Sequence, residues 1–199
     1  MQTIDYFLAP QSPWTYLGHA RLVAIARAAG ATVRVLPVDL GRVFPVSGGL
    51  PLARRAPQRQ AYRLVELERF SRFLGLPMVL QPQFFPVAAD DAARLIIAVD
   101  HADGADAALV LTGAILAAVW AQQRDIADPL VLAELLQESG LDGTRLAQSR
   151  EPAVQGHYDQ YTALAIEAGV FGAPTYRIGD ELFWGQDRLE FVARRLAAA

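Results

Sequence analysis

Apolar and polar positions alternate in "QTIDYFL" (residues 2–8), which puts Ile4, Tyr6 and Leu8 on one face of a short strand. Leu17, Ala20, Ala24 and Ala28 then repeat at helical spacing. They predict a helix that starts at Ser12 as N-cap with Pro13 in its first turn and stops at Gly30. Proline suits that place because its missing N–H has no helical partner there in any case. "TVRVLPV" (32–38) returns to alternation and is rich in valine, so it reads as a second strand. Strand, helix and strand in this order form a βαβ unit, with a parallel pair and a right-handed crossover.

Residues 41–57 hold three prolines and three glycines and are read as a loop. Helical patterns follow at about 58–74, 90–102, 105–123, 129–139, 143–149 and 153–168, with no strong strand signal between them. In the first of these, Leu64, Leu67, Phe70 and Leu74 share a face. "TYRI" and "ELFW", separated by Gly179-Asp180, then predict a β-hairpin, and a last helix covers about 187–197. The expectation is an α/β chain of thioredoxin-like fold, with residues 1–44 and 151–199 forming that domain and an all-helical insertion at 45–150.

Composition narrows the chemistry. Of 199 residues, 53% are apolar and 20% charged, as in a globular protein. The net charge of −3 offers no electrostatic case for nucleic acid or an anionic membrane. The most apolar run, "AALVLTGAILAAVWA" (107–121), falls short of the roughly 20 residues that a spanning helix needs and reads as buried helix. No signal peptide is visible at the N-terminus, so a cytoplasmic location is expected. The chain has no cysteine, which excludes disulfides, thiolate metal sites and cysteine nucleophiles. Any thiol chemistry must use a thiol carried by a ligand.

Three stretches stand out together: "DYFLAPQSPWTYLG", "GVFGAPTY" and "GDELFWGQDRLEF". With "LERFSRFLGLP" and "DPLVLAELLQESGLDG" they make the chain resemble, over nearly its whole length, the 2-hydroxychromene-2-carboxylate isomerase family. That family is related to the kappa-class glutathione transferases and to thioredoxin folds of the DsbA type. Dithiol enzymes of this fold carry Cys-x-x-Cys where this chain has Ser12-Pro13-Trp14-Thr15, so dithiol exchange is excluded.

The resemblance implies a glutathione-dependent cis–trans isomerase acting on an aromatic-derived 2-oxo or hemiketal carboxylate. Ser12 would be catalytic, donating a hydrogen bond to the glutathione thiolate at a helix N-terminus. A cis Ala173–Pro174 bond would present the Ala173 backbone to the cysteinyl backbone as an added strand. Gly185, Gln186 and Asp187 would hold the γ-glutamyl end, walled by Trp184, with Arg54 near glutathione. Trp14, Arg59, Phe84 and Phe85 are the candidate contacts to the substrate. Family asparagines are replaced by Ala88 and Tyr161. A kappa-like glutathione transferase or peroxidase, or a non-catalytic glutathione- or metabolite-binding protein, stays open beside the isomerase, as does a homodimer.

Plainer roles stand beside these. Ser12 is also a helix cap, and Asp187-Arg188 an ordinary first-turn pair. Arg54-Arg55 also reads as a solvated loop pair, and Phe84-Phe85 as core. His19, His101 and His157 have no metal-site spacing, and no metal is expected.

Overall fold

A computed structural model describes residues 2–198. Strand β1 (Thr3–Leu8), helix α1 (Pro13–Ala28) and strand β2 (Thr32–Pro37) form the βαβ unit, β1 and β2 pairing in parallel from Thr3↔Thr32 to Leu8↔Pro37. At the C-terminal end, β3 (Thr175–Ile178) and β4 (Glu181–Trp184) form an antiparallel hairpin around Gly179-Asp180. β3 also pairs antiparallel with β1, so the sheet order is β2-β1-β3-β4. Helix α9 (Leu189–Ala197) follows.

Between β2 and β3 the described elements are helical: α2 (Leu40–Ser47), α3 (Pro57–Leu74), α4 (Asp90–Asp103), α5 (Ala105–Trp120), α6 (Pro129–Glu138), α7 (Arg145–Gln148) and α8 (Pro152–Glu167). This is a mixed α/β thioredoxin-like fold with a helical insertion between strands. None of these helices is long and apolar enough to cross a membrane.

One departure concerns the loop expected at 41–57. Its first part is helix α2, capped by Asp39, whose Oδ1 accepts a hydrogen bond from the Gly41 N–H at 2.7 Å. Pro45 lies inside this helix, which ends soon after at left-handed Gly48 (φ 75°). A proline removes only its own N–H from the ladder, and so short a helix has few such bonds to lose.

Strand β1 is buried on both faces. Ile4, Tyr6 and Leu8 join the large core with Leu22 of α1, Ile96 of α4, Ile115 of α5 and Val192 of α9. That core continues from the sheet into the inserted helices without a break. Phe7 faces the other way and packs with Leu36, Val38, Ala165 and Val170. Beside Phe7, buried Asp5 is paired with Arg34 at 2.8 Å and with Arg177, which are also its register partners on β2 and β3. The apolar run at 107–121 is α5, buried along most of its length, with Trp120 at its end fully enclosed.

Candidate active site

Ser12 caps α1: its Oγ accepts a hydrogen bond from the Thr15 N–H at 3.2 Å, with Pro13 next in the chain. Its Oγ also donates to the Ala173 carbonyl at 3.3 Å, across 161 positions of sequence. The Ala173–Pro174 bond is cis. The Pro174 carbonyl accepts from the Gly185 N–H at 2.9 Å, so the cis-proline segment is tied to the turn that leaves β4. The Ala173 N–H has no intramolecular acceptor among the described residues. The Ala173 carbonyl thus meets the Ser12 hydroxyl, while the N–H of the same residue is open.

The turn at 185–187 is held from behind. Gln186 is 1% exposed, and Arg21 of α1 donates to its Oε1 at 3.0 Å and to its carbonyl at 3.3 Å. Gly18 makes room for this approach: a Cβ there would lie 2.8 Å from the Tyr176 Oη and 2.9 Å from the Gln186 Cβ. Gly185 has φ 102°, a conformation that disfavours side chains. Asp187 is half-exposed and paired with Arg188 at 2.8 Å.

A cavity of about 510 Å³ opens between this region and α3. Trp14, Ala173, Trp184, Gly185, Gln186 and Asp187 line it on the sheet side, and Arg59, Tyr62, Arg63, Glu66 and Phe70 on the α3 side, with Arg55 just before that helix. Ser12 is 7% exposed and is not itself in the lining; it meets the cavity through Ala173.

Three of the expected contact residues lie outside this lining. Arg54 ends a single 3₁₀ turn (Leu52–Arg54), and its neighbour Arg55 takes the place on the cavity. Phe84 and Phe85 line a separate space of about 460 Å³, which begins past α3. Phe85 nevertheless backs the first cavity indirectly: its ring packs on Trp120 at 4.8 Å, and the Arg63 guanidinium lies over it at 5.3 Å. Arg63 itself escaped the sequence reading, although Arg55, Arg59 and Arg63 recur at every fourth position.

Under α1, His19 is buried between Tyr6, whose hydroxyl lies 3.2 Å from Nδ1, and the Leu109 carbonyl, 2.9 Å from Nε2. Burial lowers its pKa from 6.5 to about 4, only partly offset by the bond to Leu109. His101 and His157, remote in sequence, meet edge-on with ring centroids 4.2 Å apart, away from the cavity lining. No cluster able to hold a metal is present among the described residues.

The model of the DSBA-like thioredoxin domain matches residues 3–197. The 2-hydroxychromene-2-carboxylate isomerase of Sphingobium xenophagum is 30% identical over 193 residues, covering 96% of each chain. This chain belongs to their family. A solved structure of 2-hydroxychromene-2-carboxylate isomerase superposes with a TM-score of 0.82 at 29% identity, covering 98% of this chain and 95% of the other. More distantly, the family member described here is 22% identical to glutathione S-transferase kappa 1 of Caenorhabditis elegans, over 96% of this chain and 88% of the transferase. In this chain the serine-containing turn, the cis-proline segment and the post-hairpin turn are the three pieces that converge at the sheet side of the cavity.

Proposed function

We propose that this protein is a glutathione-dependent cis–trans isomerase of the 2-hydroxychromene-2-carboxylate type, acting on an aromatic-derived 2-oxo or hemiketal carboxylate. The observation that carries the reading is the 3.3 Å contact between the Ser12 Oγ and the Ala173 carbonyl beside the cavity. It fits a cysteinyl unit. The Ala173 carbonyl and its unpaired N–H form one edge of an extended ladder for a peptide-like ligand. When a ligand N–H takes the carbonyl, the Ser12 hydroxyl is released to donate to sulfur.

Bound glutathione would supply a thiolate that adds reversibly to a conjugated double bond, permits rotation there, and departs unchanged. Ser12 supports the charged form of that thiol in two ways. Its hydroxyl donates a charge-assisted hydrogen bond, and the helix it caps directs positive potential at the same place. Asp187 offers a carboxylate to the γ-glutamyl ammonium, and Gly185 and Gln186 shape the turn around it. Trp14 and Trp184 supply apolar wall, and Arg59 a cation toward the substrate.

The similarity to a kappa-class transferase favours a second reading, in which the same thiolate is consumed. One experiment separates them: incubation with glutathione and a conjugated aryl 2-oxo acid, following both geometric isomer and free thiol. Isomerisation at constant thiol is the expected result. Loss of thiol in step with product would establish the transferase, and binding without turnover would leave only a binding protein.

A further inference from the structure

Arg63 lies on α3, lines the cavity, and is more enclosed than an ordinary surface arginine. Its guanidinium lies 5.3 Å from the centroid of the Phe85 ring and 5.7 Å from that of Trp120. Those rings pack on each other, and Trp120 is anchored by its Nε1–H, which donates to the Gln11 carbonyl at 3.3 Å. Gln11 immediately precedes Ser12. The cation therefore rests on an aromatic platform fixed to the turn that carries the serine.

No carboxylate among the described residues meets it. Glu66, the next acid along α3, is bonded to Arg69 at 2.7 Å, and Asp187 is taken by Arg188. Arg63 makes no ion pair among the described residues, and neither do Arg55 and Arg59 nearby. Three guanidiniums with no free acid leave this wall of the cavity strongly positive. Burial and the neighbouring Arg55 lower the Arg63 pKa to about 10, which still leaves it charged at neutral pH. Cation–π contact offsets part of the cost of enclosing the charge, but it leaves the donor fork of the guanidinium unused. Such a fork matches a carboxylate with two parallel bonds, which a lysine could not make.

We propose that Arg63 is a specificity-determining residue whose guanidinium holds the carboxylate of the second substrate at the Ser12 end of the cavity. That the second substrate is a conjugated 2-oxo acid rests on the proposed function. The assignment of a carboxylate to Arg63 rests on the unpaired, platform-held cation. The other source of a carboxylate is the glycyl end of glutathione, and the test distinguishes the two.

The test is calorimetric binding of benzylidenepyruvate, of its primary amide and of glutathione, to the wild-type protein, Arg63→Met and Arg63→Lys. Methionine keeps an apolar stem against Phe85 and Trp120 but removes the charge. A hydrogen-bonded charge pair predicts that wild type prefers the acid over the amide by about 10- to 100-fold. That preference should fall to about 3-fold or less in Arg63→Met and recover in part in Arg63→Lys, while glutathione affinity stays within about 3-fold throughout. An unchanged acid preference in Arg63→Met would overturn the assignment. So would a matching loss of glutathione affinity, which would give Arg63 to the glycyl carboxylate. Should Arg63→Met fail to fold, absence of any acid preference in the wild-type protein, or an undiminished one in Arg63→Lys, is equally decisive against it. Should glutathione fail to bind while the acid preference depends on Arg63, the isomerase reading fails and this assignment stands.

Discussion

On the sheet side of the cavity the turns that carry the site are tied to one another inside the protein, although the buried Thr15 Oγ1, Tyr176 Oη and Gln186 Nε2 have no partner among the described residues. Ser12 bonds Thr15 and Ala173, Pro174 bonds Gly185, and Arg21 clamps Gln186 from behind. On the α3 side, Arg59 and Arg63 face the cavity with no ion pair among the described residues. The first wall is positioned by the fold's own strand-to-helix turn, hairpin and cis-proline segment. The second is built on an inserted helix and changes with that helix's surface. A wall braced from within can place a reacting atom accurately, because its backbone is already in position and only the Ser12 hydroxyl has to turn when a ligand arrives. A wall with unmet charges selects what comes in. On the proposed function, the fold keeps the glutathione site while the insertion sets which second molecule is accepted.

If the sheet wall is rigid because α1 is fixed to the core, acid should loosen it first, and this is the largest effect expected. His19 ties α1 to Tyr6 of β1 and to Leu109 of α5 in its neutral form. Its folded pKa, about 4, lies below the unfolded value of 6.5, so the unfolded chain binds the proton first. The stability it contributes is complete above pH 6.5 and is lost as pH falls towards 4, by about 3 kcal/mol in all. Denaturant unfolding from pH 7 to 4 should show that slope, and His19→Gln should flatten it. An equal slope in the variant would assign the acid sensitivity to other groups.

Ser12→Ala asks whether the wall does more than hold its shape. Loss of the cap costs about 0.5–2 kcal/mol, which a domain of this size survives. Loss of a hydrogen bond to a charged sulfur should raise the thiol pKa of bound glutathione by about one to two units. Thiolate near neutral pH then falls by about 10- to 100-fold, and turnover with it. Thiolate absorbance against pH measures this directly. Coincident curves for two proteins that both bind glutathione would reduce Ser12 to a cap.

What could be read from the sequence divides along the same line. β1, α1, β2 and the hairpin follow from alternation, a serine-proline cap and Gly179-Asp180, all local signals with a direct geometric meaning. The insertion's helices were equally periodic. Helix α2 was hidden by Pro45, although Asp39 two residues before Gly41 was a capping signal. Arg54 and Arg55 could not be separated, since in an irregular turn one residue's difference reverses which side chain faces a cavity. Phe84 and Phe85 follow a stretch without regular structure, and no periodicity says which space they enter. Arg63 shows the limit most clearly. Its helical spacing from Arg59 was legible, but its role depends on Phe85 and Trp120, which only tertiary packing brings beneath it.

Gly18→Ala tests how tightly α1 and the post-hairpin turn must meet. Alanine gains about 1 kcal/mol of helix propensity over glycine. Against this, the new methyl group would sit 2.9 Å from the Gln186 Cβ and 2.8 Å from the Tyr176 Oη, in a buried region where overpacking costs about 1–3 kcal/mol. The net expectation is a loss of about 1 kcal/mol, together with weaker glutathione binding as the 185–187 turn shifts. Arg59→Ala, on the other wall, should leave stability within about 0.5 kcal/mol of wild type. A Gly18→Ala protein with unchanged melting and unchanged glutathione affinity would show that the two elements yield easily, and that the wall is less rigid than its hydrogen bonds suggest.

The smallest effect is expected at Asp187, a solvent-exposed charge on the sheet side of the cavity. Its carboxylate is half-exposed and already paired with Arg188 at 2.8 Å, itself about half-exposed. A γ-glutamyl ammonium arriving there exchanges one exposed ion pair for another, and such pairs are worth only about 0–1 kcal/mol. Asp187→Asn should therefore weaken glutathione binding by roughly 2- to 5-fold. The ammonium is remote from the reacting sulfur and unchanged along the reaction, so the loss belongs in KM for glutathione, with kcat preserved. Because the pair is solvent-screened, the difference between wild type and variant should shrink as salt is raised. Calorimetry at two ionic strengths, combined with steady-state kinetics, resolves these expectations. Equal affinities at low salt would remove Asp187 from the glutathione site. A fall in kcat at unchanged KM would place its charge close to the reacting atoms instead.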